Sequence, residues 1–125
     1  MEGTQMLRLT DTEWKIMELL WKNDSLTTME LSRSLGASEG WSRSTVITML
    51  GRMENKGIIR YENDDKTKRY YPVVARSEAE LEATRSLLDK CYGGNIGLMI
   101  SNMLKHEALS REEIEEIRKI IKDGE

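Results

Sequence analysis

Two groups of side chains have the types and spacing to do chemistry. Cys91 and His106 are the only cysteine and histidine, 15 positions apart on separate predicted helices. That spacing makes no metal site, and no nucleophile, base and orienting group stand together to suggest an enzyme. The expectation is a buried Cys91 thiol and a His106 at a helix end, near the negative pole of the helix dipole. The second group lies between Arg43 and Asn55. Here Ser44, Thr45, Thr48 and Arg52 recur at helical spacing, with Gly51 between them. Short hydroxyls and guanidinium groups on one helix face can hydrogen-bond base edges and phosphates. Their chemistry is recognition.

Charge supports that location. The 125-residue chain carries a formal net charge of −3, which runs against nucleic-acid binding as a whole-chain property. The distribution differs. Residues 43–76 hold eight basic and four acidic side chains, whereas residues 77–125 hold seven basic and eleven acidic. The positive field is local. No run of about 18 apolar residues is present, so no membrane insertion is expected. Residues 1–9 lack the apolar stretch of a signal peptide, and unpaired Cys91 fits a reducing compartment. A cytoplasmic address is expected.

The elements that must position these residues can be read from caps and periods. Thr10…Glu13, Thr27…Glu30, Ser77…Glu80 and Ser110…Glu113 each form a capping-box pattern, marking four helix starts. Helices are predicted over about 11–22, 28–35 (ended by Gly36), from Ser42 to a stop at Gly57, and over about 78–92, 95–105 and 111–122. Trp14, Met17, Leu20 and Trp21 form the inner face of the first. Val46, Met49, Leu50 and Met53 form that of the third. Ile58–Tyr61 and Arg69–Val74 are short β-branched and aromatic runs around the polar cluster Asn63-Asp64-Asp65-Lys66, which reads as a β-hairpin. Pro72 suits an edge strand or a strand end.

Three helices and a hairpin, with a tight Gly40-Trp41-Ser42 turn before the third helix, follow the logic of a winged helix-turn-helix. The predicted fold is therefore mainly α with a small β-hairpin. A winged-helix DNA-binding domain over 1–75 precedes a helical dimerisation domain over 76–125. The third helix would read DNA through Arg43, Ser44, Thr45, Ile47, Thr48 and Arg52, joined by Thr28 at the start of the second helix. The wing would add Lys66, Lys68 and Arg69. Gly51 costs a helix interior about 1 kcal/mol relative to Ala, and close approach of a phosphate backbone would account for it. The last 49 residues are too few for a core of their own, yet carry strong apolar stripes. Leu87, Leu88, Ile96, Met99, Ile100, Met103, Leu104, Ile114, Ile117 and Ile121 are the candidate dimerisation residues, because a second copy of the chain is the simplest partner.

The Leu-Thr-Asp-Thr-Glu-Trp start at Leu9, Gly40-Trp41-Ser42, Thr45-Val46, Asn55-Lys56-Gly57, Tyr70-Tyr71-Pro72, Gly93-Gly94 and Leu109-Ser110 stand in one order. With it the chain resembles the penicillinase repressor family, the BlaI/MecI/CopY type of regulator, over nearly its whole length. The resemblance implies a winged-helix domain, a helical dimerisation domain, and repression by a homodimer on palindromic double-stranded operator DNA. It also implies a membrane-bound zinc metalloprotease sensor as a partner in antibiotic response, with cleavage in the fifth helix. Asn102-Met103 is the matching position, with Met103 where the family has Phe. The cysteine cluster of the copper-responsive branch is missing, so no metal or other cofactor is implied. Arg43, Ser44 and Ile47 differ from the family's usual recognition-helix start, which implies an altered operator preference. The competing expectation is a winged-helix protein-interaction module without DNA binding, favoured by the overall charge and the acidic wing tip.

Overall fold

The computed structural model describes residues 8–124. The first seven residues, which carry most of the segment considered as a signal peptide, and Glu125 lie outside the described residues. The chain divides into two compact units, one ending at Ala83 and one beginning at Thr84.

In the first unit the order is α1 (Asp11–Asn23), β1 (Leu26–Thr27), α2 (Thr28–Glu39), α3 (Arg43–Lys56), β2 (Ile59–Asp64) and β3 (Thr67–Pro72). It closes with the first turns of α4 (Arg76–Tyr92), which continues into the second unit. Thr10 and Thr27 cap α1 and α2 with both halves of the box formed. In each, the hydroxyl accepts from the Glu backbone N–H and the Glu carboxylate accepts from the Thr N–H. Ser42 caps α3, and Gly57, at φ 84°, ends it.

The strands form one antiparallel sheet ordered β1-β3-β2. Leu26 faces Tyr70, and Tyr61 faces Tyr70 from the other side. The wing turns at Asp65-Lys66, with Asp65 at φ 61°. Ile16, Met17, Leu20, Leu31, Leu35, Val46, Leu50, Met53, Ile58, Ile59, Tyr70, Val74 and Ala79 make the core, drawn from every helix and the two long strands. Trp14, Trp21 and Trp41 pack on it half-buried, and the Trp21 indole N–H donates to the Val74 carbonyl at 2.8 Å. The Glu13–Lys56 ion pair, at 2.8 Å, ties the start of α1 to the end of α3.

Three details differ from the sequence expectations. The Gly36 stop is overrun: α2 continues to Glu39, and Gly40, at φ 72°, takes the left-handed position instead. A lone glycine weakens a helix without ending it. The Ser77 box does not form, because α4 begins at Arg76 and the Ala79 N–H already bonds the Ala75 carbonyl. Burial of Val74 and Ala79 and the Trp21 bond fix that earlier start. The hairpin is two strands of a three-stranded sheet, and β1 is too short for any period to show. Pro72 stands at the end of β3, one of the two places expected of it, and β3 is the central strand.

The second unit contains the rest of α4, then α5 (Ile96–Lys105) and α6 (Arg111–Asp123). Asn95 caps α5, and Ser110 caps α6 with a complete box. Gly93 and Gly94 take positive φ after α4. Not one described residue of this unit is buried. Cys91 is accordingly exposed, contrary to the expected buried thiol. His106 is the C-cap of α5. Among the described residues no helix is long and apolar enough to cross a membrane.

Candidate nucleic-acid interface

The face of α3 opposite Val46, Leu50 and Met53 is open. Arg43, Ser44, Thr45, Ile47, Thr48, Gly51, Arg52 and Asn55 are all exposed. Ser44, Thr45, Thr48 and Arg52, with Met49, line a shallow depression on it. The Ser42 hydroxyl lies 3.1 Å from that of Ser44 and 3.0 Å from that of Thr45, so the three form a hydroxyl cluster at the helix N-terminus. Hydroxyl groups beside the positive end of a helix dipole suit contact with phosphate or base acceptors.

Local charge is sorted by the fold. Of the eight basic residues in 43–76, four are paired internally. Lys56 meets Glu13, Arg60 meets Glu62, Arg69 meets Asp64 and Glu30, and Arg76 meets Glu80. Among the described residues Arg43, Arg52, Lys66 and Lys68 carry no ion pair. Two are on α3 and two on the wing. Lys68 places its ammonium 4.0 Å from the Tyr61 ring centre, a cation–π contact that steadies it.

Arg69, expected as a wing contact, has another task. Its Nε donates to Asp64 at 2.9 Å and its Nη1 to the Ser25 hydroxyl at 3.2 Å. The hydrogen bond to Asp64 raises its pKa. Glu30 is held below the usual carboxylate range, first by the Thr27 backbone N–H, then by the Thr27 hydroxyl, with a smaller contribution from Arg69. Arg69 thus straps the wing to the start of α2 and neutralises part of the acidic tip. Thr28 is half-buried, and its side chain lies beside the Tyr70 hydroxyl.

Tyr70 is the positioning residue that sequence reasoning missed. The residue is 4% exposed, and its hydroxyl stands in the field of Glu54 of α3 and beside Thr28 of α2. One buried side chain of the central strand therefore faces residues of both helices of the helix-turn-helix and pairs with Tyr61 of the wing. Burial first, then the Glu54 carboxylate, push its pKa up to about 12 from 10.0. A raised folded-state value means the stabilisation is complete below pH 10 and is lost as pH rises towards 12. Tyr70→Phe should cost about 1 kcal/mol of stability near neutrality. The gap between the two proteins in urea melts should close across that alkaline window, and a constant gap would count against a buried Tyr70 hydroxyl.

This geometry defines a winged helix-turn-helix protein with a helical appendage. The penicillinase repressor family model matches residues 9–123, so the chain belongs to that family. It is 30% identical to the penicillinase repressor of Bacillus licheniformis, over 93% of this chain and 91% of the relative. It is 27% identical to the methicillin resistance regulatory protein MecI of Staphylococcus aureus, over 90% and 92%. These relatives are regulators, not enzymes. Over part of its length the chain resembles the solved structure of Bacillus licheniformis BlaI in its monomeric form in complex with the blaP half-operator. The TM-score is 0.52 at 30% identity, covering 57% of this chain and 87% of that one.

Proposed function

We propose that this protein is a transcriptional repressor that binds two-fold symmetric operator DNA as a homodimer. The observation that carries this reading is the exposed α3 face, with Arg43 at its start and Arg52 and three hydroxyls around a depression, seated on the core. The relative solved on a half-operator supports it. The N-terminal turn of α3 enters the major groove, where Arg43, Ser44, Thr45, Ile47 and Thr48 reach base edges. Arg52, Lys66 and Lys68 hold phosphates. α4, α5 and α6 join two copies, since Ile96, Met99, Ile100, Met103, Ile117 and Ile121 surround an apolar groove with nothing buried beneath it. Release follows loss of that join, as by cleavage at Asn102-Met103 after signalling by a membrane-bound metalloprotease. Asn102 is exposed there, its amide donating to the Tyr92 hydroxyl.

The test is a binding series on the DNA upstream of the protein's own coding sequence. Specific binding that falls linearly in log K with log salt is expected. The paired state of Arg60 and Arg69 favours the second reading, an interaction module without DNA binding. Failure to shift any duplex at low salt would select that second reading.

A further inference from the structure

Gly51 stands on the outward face of α3, beside Arg52 and one turn beyond Thr48. A Cβ built there meets no atom within 4 Å. Among the described residues every other glycine either takes a positive φ or has an atom of its own chain within 4 Å of the Cβ position. Gly51 has neither reason. The helix around it is otherwise well made, with a Ser42 cap and a Gly57 stop. Nothing among the described residues calls for a glycine at a position where it weakens the helix.

The outer surface gives a reason. Eight residues separate Gly51 from Arg43, a rise of about 12 Å along the helix, close to the roughly 12 Å width of the major groove. With the first turn of α3 at the base edges, Gly51 arrives at the groove wall, where the sugar–phosphate backbone runs. Arg52 then stands beside it to pair with a phosphate. We infer that Gly51 is a clearance position, at which the sugar–phosphate backbone of bound DNA lies against the main chain of α3. The inference rests on the operator-binding reading above.

The experiment compares full-length wild type with Gly51→Ala and Gly51→Leu, measuring thermal unfolding and binding to the operator and its single-base variants. Alanine fits the free helix, so the midpoint should rise by about 4 °C. Binding should nevertheless weaken roughly ten-fold per half-site, equivalent to about 1.4 kcal/mol, and further for leucine, because an added methyl overpacks a close contact. Discrimination between the operator and its variants should stay unchanged, since a backbone contact carries no base information. A more stable alanine protein that binds as tightly as wild type would overturn the inference and leave the repressor reading intact. A less stable one would overturn it too, by exposing a role inside the fold. Discrimination lost along with affinity would remove the assignment to the sugar–phosphate backbone. A wild type that binds no duplex would remove both readings.

Discussion

Replacing Arg43 and Arg52 together by alanine is expected to abolish most operator affinity while leaving the fold unchanged. Both side chains are exposed, and among the described residues neither carries an ion pair, so the first unit keeps its internal bonding intact. On DNA each would give about 1–3 kcal/mol, so the pair accounts for roughly a hundred-fold or more per half-site. The slope of log K against log salt should fall by about 0.9 for every phosphate no longer held. Thr48→Ala should behave differently. It removes a groove-facing hydroxyl without changing charge, so it should alter preference among sequences at nearly constant salt slope. The readout is fluorescence anisotropy across a salt series. Unchanged affinity in the double variant would mean that α3 does not enter the groove.

That expectation depends on which cations are free, and this is where sequence reasoning is least complete. The local excess of positive charge in 43–76 is visible by counting. Its sorting is not, because Arg69 finds Glu30 and Ser25 across 39 and 44 residues, and Lys56 finds Glu13 across 43. Caps are legible wherever the signal is local. Thr10, Thr27 and Ser110 close their boxes because hydroxyl, N–H and carboxylate all lie within four residues. Ser77 has the same pattern but loses to tertiary anchoring of Val74 and Ala79, which starts α4 earlier. Tyr70 shows the limit most directly. It is the one buried residue of β3, and its place beside Glu54 and Thr28 exists only once three elements have met.

The pairing of charges also explains how an acidic chain can present a usable positive surface. Acidic groups in the first unit are drawn into caps and straps: Glu13 and Glu30 into their boxes, Asp64 onto Arg69. Among the described residues, those on α3 and the wing without an ion pair are Arg43, Arg52, Lys66 and Lys68 against Glu54 and Asp65, which leaves the surface net positive. The negative excess of residues 77–125 falls largely on Glu112, Glu113, Glu115 and Glu116 in the first turns of α6, where carboxylates favour the helix dipole.

Ile117→Glu should have the second large effect, on a full operator alone. Ile117 lies half-buried in the apolar groove formed with α5. A glutamate there would have to be desolvated whenever two such surfaces close. The first unit keeps its own core, so a single half-site should still be bound as by wild type. A full operator is different. Two linked half-site contacts gain about 10²–10⁴ over one through effective concentration, and a variant that cannot pair forfeits that gain. Sedimentation at micromolar concentration should give a dimer for wild type and a monomer for Ile117→Glu. Full-site affinity should drop towards half-site affinity, and Ile117→Leu should restore both properties. The half-site control separates loss of pairing from damage to the reading surface. If wild type sediments as a stable folded monomer and still prefers the full operator, the groove does not join two copies, and loss of pairing could not be the route of release.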